Sequence, residues 1–165
     1  MTRHIKIQKN TVFAFGEGES ELVFLKYLKS VYSCEKTSVT VRHAGGKDVA
    51  YILEKAIRVR GGGSFNHSFI LLDTDRGLPE ELRMELIGST PCLEGMLLSI
   101  LEPQSNHVTR SSGDCKKYFI KNYIGADRII TSKDCEKYFS KTILDKAKIS
   151  NPTLKRIVDI MEGNY

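Results

Sequence analysis

Two apolar runs that each end abruptly on acidic residues and glycine constrain the fold of this chain most strongly. The first, TVFAFG at residues 11–16, leads into EGESE at 17–21. The second, FILL at 69–72, leads into DTDRG at 73–77. Continuous apolar runs bounded by turn residues are typical of strands buried on both faces of a parallel sheet. We therefore expect two strands that deliver carboxylates to the carboxyl edge of one sheet, where open α/β sheets bind ligands.

The remaining pattern predicts an α/β fold with a parallel sheet. Strands are expected at 11–16, 38–43 and 67–72, and they alternate with helices at 21–28 (capped by Ser20), 47–59 and 78–86. Three such strand–helix repeats predict a compact Rossmann-like sheet with helices on both faces. Beyond residue 90 helices are predicted at 91–101, 112–123, 133–148 and 152–161, with a short edge strand at Ile129–Ile130.

The length of 165 residues suits one structural domain. We expect a core at 1–110 and a lysine-rich helical extension packed on it at 111–165. The net charge is +5, and ten basic residues crowd the last third: Lys116, Lys117, Lys121, Lys133, Lys137, Lys141, Lys146, Lys148, Lys155 and Arg156. A solvated helix face explains any single lysine equally well, whereas the concentration suits a polyanionic partner.

Composition also limits the compartment and the class of site. No stretch approaches the roughly 20 apolar residues of a membrane helix, and no apolar segment follows the basic N-terminus, so no secretory signal is expected. Four widely spaced cysteines without a CxxC pair argue against a structural zinc site and for reduced thiols in a cytoplasmic protein.

Glu17 and Glu21 flank the turn from the first strand into the first helix. Both carboxylates are therefore expected above the same point of the sheet edge. An acid in a first helical turn also complements the helix dipole, which is an equally good explanation for Glu21. Glu17 directly follows the apolar run and is better explained by function.

Asp73 and Asp75 are two residues apart, so in extended chain their side chains point the same way. Two like charges on one face repel each other unless a cation lies between them. The alternative is a turn in which Arg76 neutralises one acid. Together with Glu17 and Glu21, the pair favours a cation site.

Glu94 is a third candidate ligand. Thr90 suits a helix cap and Pro91 a first helical turn, which places Glu94 one residue beyond the acid of a capping box. A role in complementing the helix dipole remains open. Glu94 could otherwise supply a carboxylate to a second cation.

Carboxylate oxygens without a His/Cys set favour Mg²⁺ or Mn²⁺ over zinc. One or two such ions are expected, and they would be used to cleave phosphodiesters. A pair of ions can activate a water molecule and stabilise the leaving oxygen. His43 ends the second strand, where packing or hydrogen bonding is the better explanation. No P-loop follows Gly16-x-Gly18, so any ATPase would be a separate protein.

The order of these motifs resembles that of the TOPRIM domain of topoisomerases, primases and OLD-type nucleases. A first strand is followed by Glu17-Gly18-x-x-Glu21, a middle strand is marked by glycine, and a third strand is followed by Asp73-x-Asp75. Residues 91–94, PCLE, followed by an apolar helix, are similar to a segment of RloB-like and OLD-type members. The resemblance covers residues 11–101.

The resemblance implies a metal-dependent nuclease. Glu17 would be a ligand and general acid/base, Asp73 and Asp75 would hold Mg²⁺, and Glu21 and Glu94 would complete a second site. A basic residue follows the acids in the family, and Lys116 is the first choice, with Lys133 second. The expected catalytic set is Glu17, Asp73, Asp75 and Lys116, and the expected nucleic-acid-binding set is Lys116, Lys117, Lys133 and Lys137.

Family context further suggests cleavage of DNA or RNA, including tRNA, in defence against phage, with a partner ATPase and no membrane association. One alternative is a non-catalytic module whose acids hold one structural cation or a basic partner. Another is a phosphatase or receiver-like domain, which the lack of a threonine/lysine switch pair weakens. Whether the chain forms a homo-oligomer is left open.

Overall fold

A four-stranded, all-parallel sheet forms the centre of the computed structural model, which describes residues 9–76, 84–126 and 128–165. Its strands are β1 Asn10–Gly16, β2 Thr37–His43, β3 His67–Asp73 and β4 Glu85–Ser89. They lie in the order β2-β1-β3-β4. The predicted α/β class with a parallel sheet is confirmed.

The two acid-tipped apolar runs occupy the two central strands. Val12 to Gly16 in β1 and Ser68 to Asp73 in β3 are buried without interruption, because both of their faces are covered. Strand β2 lies at the edge and alternates buried and accessible residues along its length. The continuous runs therefore mark the centre of the sheet.

Seven α-helices and three short turns lie among the described residues. The helices are α1 Glu19–Tyr32, α2 Val49–Arg60, α3 Leu93–Leu101, α4 Ser112–Phe119, α5 Ser132–Tyr138, α6 Lys141–Ala147 and α7 Pro152–Glu162. The short elements are 3₁₀ turns at Thr74–Arg76 and His107–Thr109 and a π-helical segment at Ile120–Ile124.

The helices cover both faces of the sheet, as predicted. Val12, Ala14 and Leu71 face a large core with α1 and α3 to α7, while Phe13 and Phe15 face α2 in a smaller one. Helices α1 and α2 lie on opposite faces because the chain steps from β1 outward to β2 and then back past β1 to β3, and two crossovers of the same hand that step in opposite directions place their helices on opposite faces.

The lysine-rich C-terminal helices pack on the same core as the sheet. The ring of Phe139, which follows α5, meets Phe24 of α1 edge to face at 5.7 Å between centroids. The Tyr27 hydroxyl donates to the Phe139 carbonyl at 2.7 Å, and the Thr37 hydroxyl donates to the Met161 carbonyl at 2.8 Å. Residues 111–165 thus share a core with β1 and β2.

Four local predictions are wrong. Glu85 and Leu86 belong to strand β4, not to a helix over 78–86, whose residues 78–83 lie outside the described part. Ile129–Ile130 forms no strand. The predicted helix 133–148 is broken into α5 and α6, because the Ser140 side chain caps a new helix. Helix α1 begins two residues earlier than predicted and is capped at Gly18, not Ser20.

Within the described residues, each helix is too short or too polar to cross a lipid bilayer.

Replacing Phe139 by alanine tests whether the extension is part of the core. The fully buried ring would leave a cavity, so we expect the free energy of unfolding to fall by about 3–5 kcal/mol. Ile149→Ala is the control, because Ile149 is 88% exposed, and it should change stability by less than about 0.5 kcal/mol. Urea unfolding monitored by circular dichroism measures both. Two separate transitions would contradict a shared core.

Candidate carboxylate site at the carboxyl edge of the sheet

The register of β1, β3 and β4 brings Glu17 and Asp73 together. Gly16, the last residue of β1, lies opposite Leu71, so β3 runs two residues further and ends on Asp73. The Asp73 backbone N–H donates to Glu17 Oε2 at 3.4 Å. Both carboxylates are buried, with 7% and 4% of Glu17 and Asp73 exposed. Two adjacent parallel strands thus deliver an acid each to one point, as the sequence predicted.

Asp73 connects strand β4 and helix α3 through one carboxylate oxygen. Its Oδ1 accepts from the Ser89 hydroxyl at 3.0 Å and from the Leu93 backbone N–H at 2.9 Å. Leu93 is the first residue of α3, so the aspartate caps a helix in another part of the chain. Sequence reasoning missed this role of Ser89. Recognition of β4 would have placed Ser89 opposite Asp73.

Lys116 of α4 faces the other oxygen of this carboxylate. Its Nζ lies 3.6 Å from Asp73 Oδ2, and 44% of its side chain is exposed. Partial burial lowers the pKa of Lys116, but the neighbouring carboxylates of Glu94 and Asp73 outweigh burial and raise it. The ammonium therefore stays charged beside the acids. Of the two lysines proposed from sequence, Lys116 is the one that reaches the site.

Glu21 is buried in the first turn of α1. Its Oε2 accepts from the Gly18 backbone N–H at 2.8 Å, which is half of a capping box. Burial raises the pKa of Glu21 to about 7, and the nearby charges of Asp73 and Glu94 add to the shift. Helix α1 can approach the end of β1 this closely because Gly16 has no Cβ. A Cβ at that position would lie 2.6 Å from Glu21 Cβ.

Glu94 lies in the first turn of α3, which begins at Leu93 after an N-cap at Cys92. The predicted cap at Thr90 is wrong, because the Asp73 carboxylate binds the first N–H of the helix. Burial raises the pKa of Glu94, and Lys116 offsets this effect only in part. Its Oε2 is buried without a hydrogen-bond donor in the described part of the chain. Such an oxygen is an acceptor that a cation would satisfy.

Asp75 does not point the same way as Asp73. The strand ends at Asp73, and the chain turns into the 3₁₀ segment Thr74–Arg76, so Asp75 is exposed and accepts from the Ser112 hydroxyl at the start of α4. The prediction of two carboxylates on one extended face is therefore wrong. Instead both aspartates contact α4. Asp75 contacts Ser112, and Asp73 contacts Lys116 one turn further along the helix. The side chain of Arg76, the predicted neutralising partner, lies outside the described part.

The remaining predicted residues lie away from these contacts. Lys117 is exposed on α4, Lys133 is exposed on α5, and Lys137 lies 4.6 Å above the Tyr138 ring. His43 ends β2 opposite Gly16, and its buried Nδ1 has no hydrogen-bond partner among the described residues.

The chemistry of these acids fits a hard divalent cation. Glu17, Glu21, Glu94 and Asp73 offer only oxygen ligands, Glu94 has a buried unpartnered oxygen, and the charges of Glu21, Glu94 and Asp73 act on one another. However, no three His, Cys, Asp or Glu side chains within 9–76, 84–126 and 128–165 are already arranged as a ligand set. Binding would therefore require these side chains to turn toward the ion.

Comparisons with known proteins give no match, whether against protein-family models, curated proteins or solved structures.

The raised pKa of Glu21 predicts a pH-dependent stability in the presence of a chelator. Between about pH 4.5 and 7 the folded state binds more protons at this carboxyl than the unfolded state, so its ionisation destabilises the fold as the pH rises. Glu21→Gln removes the ionisation and keeps an oxygen for the Gly18 N–H. We expect its stability relative to wild type to increase by up to about 3 kcal/mol from pH 4.5 to pH 8.

Urea unfolding at several pH values measures this difference. Glu19→Gln is the control for loss of an acid from the same helical turn, because Glu19 is exposed, and it should change stability by less than about 0.5 kcal/mol. A difference between Glu21→Gln and wild type that stays constant across the pH range would contradict the raised pKa.

Proposed function

We propose that this chain is a Mg²⁺- or Mn²⁺-dependent nuclease whose centre lies at the carboxyl edge of the sheet. The observation that carries the proposal is the Asp73 carboxylate, buried beside Glu17, with one oxygen held by Ser89 and the Leu93 N–H and the other facing Lys116. An acid fixed in this way presents a defined oxygen to a cation and its substrate. A purely structural ion pair would not explain why three further carboxylates surround it.

Asp73 and Glu17 would hold the first ion, and Glu21 and Glu94 would supply ligands for a second. Bound there, Mg²⁺ or Mn²⁺ supplies Lewis-acid chemistry, which polarises a phosphodiester and lowers the pKa of an attacking water. Asp75 is exposed and engaged with Ser112, so it would join as a ligand only after leaving that contact. One or two ions are compatible with this set.

Lys116 and Glu21 have the properties needed for charge and proton handling. The ammonium of Lys116 stays protonated beside the acids, so it can offset charge that develops on a phosphate. When only the first ion is bound, the Glu21 carboxyl, with a pKa of about 7 in the metal-free protein, can release or take up a proton near neutral pH, whereas a second ion bound to Glu21 would hold it ionised. Glu17 remains the general acid/base that the resemblance implies.

Membership of the TOPRIM domain proteins, in the RloB-like and OLD-type group, is part of this proposal. The acids of β1 and β3 in contact at one sheet edge support it. Defence against phage, a partner ATPase, a DNA or RNA substrate and a cytoplasmic location stay predictions that rest on the resemblance.

A non-catalytic binding module is the second candidate. The observation in its favour is that Ser89, Leu93 N–H and Lys116 already surround Asp73, and that no ligand set is preformed in the described residues. In that case the carboxylates would stabilise the junction of β3, α3 and α4. The protein would then cut no substrate with either metal.

A cleavage assay with Asp73→Asn separates these candidates. Plasmid DNA, single-stranded DNA and total tRNA are incubated with Mg²⁺, Mn²⁺ or EDTA. We expect metal-dependent cutting of at least one substrate by the wild type and a loss of at least a hundredfold in Asp73→Asn, because the replacement removes a metal ligand. Asp159→Asn, on the far helix α7, is the matched control and should cut normally.

Circular dichroism checks that both variants are folded. Equal activity of Asp73→Asn and wild type, or cutting that persists in EDTA, would contradict the proposal.

Replacing Lys116 by alanine separates catalysis from cation binding. We expect the single-turnover cleavage rate to fall by about 10²–10³, since a preorganised charge near the phosphate is lost. Mn²⁺ affinity, measured by calorimetry, should be retained or increase, because a competing ammonium has been removed from Asp73. Lys133→Ala is the comparison, since Lys133 is the second choice from the sequence. A larger loss of rate in Lys133→Ala would show that the assignment is wrong.

A further inference from the structure

A second feature lies on the same helix as Lys116 and is not explained by the carboxylate site. Lys117 and Lys121 line a shallow pocket of about 290 Å³, together with Ile120 and Ala126. Both lysines are exposed, and neither forms an ion pair within residues 9–76, 84–126 and 128–165. By contrast, Lys141, Lys148 and Lys155 are each paired with an aspartate.

The backbone that forms this pocket is unusual. Helix α4 continues into the π-helical segment Ile120–Ile124, closed by a hydrogen bond from the Gly125 N–H to the Ile120 carbonyl at 2.7 Å. Gly125 and Ala126 follow with φ of +67° and +52°, and Ala126 is the one non-glycine residue with positive φ in the described chain. π-Helical turns and strained residues are uncommon and cluster at functional sites.

The pocket is close in sequence to the carboxylate site. Lys116 points to Asp73, and Lys117 is the next residue of α4. Lys121 follows Lys117 by four residues, which is about one helical turn or roughly 6 Å. Because successive residues of a helix project about 100° apart, Lys117 lies on the side of α4 next to that of Lys116, where a strand with its scissile phosphate beside Lys116 can place a neighbouring phosphate.

We propose that Lys117, Lys121 and the Gly125–Ala126 turn form a phosphate subsite that holds the nucleic-acid strand next to the scissile position. This inference rests on the proposed function, because it takes the substrate to be a nucleic acid. The subsite contacts the sugar–phosphate backbone and not the bases, so it binds without sequence preference. The unpaired ammonium groups supply the charge, and the wide π turn with its left-handed residues shapes the pocket.

The test is a binding measurement in EDTA, where no metal-dependent cleavage occurs. Short fluorescein-labelled single-stranded DNA and RNA are titrated with wild type and with Lys117→Ala/Lys121→Ala, and fluorescence anisotropy is recorded at several salt concentrations. We expect the double variant to bind about tenfold more weakly on any sequence. The slope of log K against log salt should fall by about 1.4, because each phosphate contact to a single strand contributes about 0.7.

The matched control is Lys26→Ala/Lys29→Ala, which removes two exposed lysines on one face of α1. It should leave both affinity and slope unchanged. An equal loss of affinity in the two double variants would overturn the subsite, since any exposed lysine pair would then contribute equally to nucleic-acid binding. No binding by the wild type would also overturn it. Normal binding by a wild-type protein that cuts nothing with either metal would overturn the nuclease and leave the phosphate subsite standing.

Discussion

The site depends on one buried carboxylate. Asp73 closes β3, accepts from Ser89 at the end of β4, caps α3 through the Leu93 N–H and faces Lys116 of α4. A carboxylate that is 4% exposed needs such partners, because burying an unpaired charge is unfavourable. The result is that β4, α3 and α4 are each held to the end of β3 by this side chain. Its contacts explain both how the acids come together and why a lysine lies among them.

The acids that surround Asp73 create an electrostatic conflict that one lysine relieves only in part. Glu21 and Glu94 both have raised pKa values because they are buried near other carboxylates. Natural folds tolerate such conflict mainly at functional sites. A divalent cation would remove it, since a doubly charged ion stabilises several ionised carboxylates at once. The charge balance therefore supports the proposed function, as do the positions of the strand ends.

Sequence patterns predicted the strands that carry the site because β1 and β3 are buried on both faces and read as continuous apolar runs. The same reasoning failed at β4, where Glu85-Leu86-Ile87-Gly88-Ser89 has one charged residue, one glycine and only two buried positions. It also failed to place Asp75, because the end of β3 is set by the contacts of Asp73 with residues 16 and 20 positions away. Long-range capping of this kind leaves no local signal. The sequence named Lys116 first and Lys133 second without a physical reason, since it is the packing of α4 on α3 that places Lys116 beside Asp73.

An anomalous difference map from crystals soaked in Mn²⁺ near pH 7.5 tests the central claim most directly. The account predicts a peak within coordination distance of Asp73 Oδ2 and a Glu17 oxygen, with Lys116 displaced from the aspartate. A second, weaker peak beside Glu21 and Glu94 would indicate two ions. A fully occupied Mn²⁺ elsewhere, with Asp73 still facing Lys116 and this edge of the sheet empty, would contradict it.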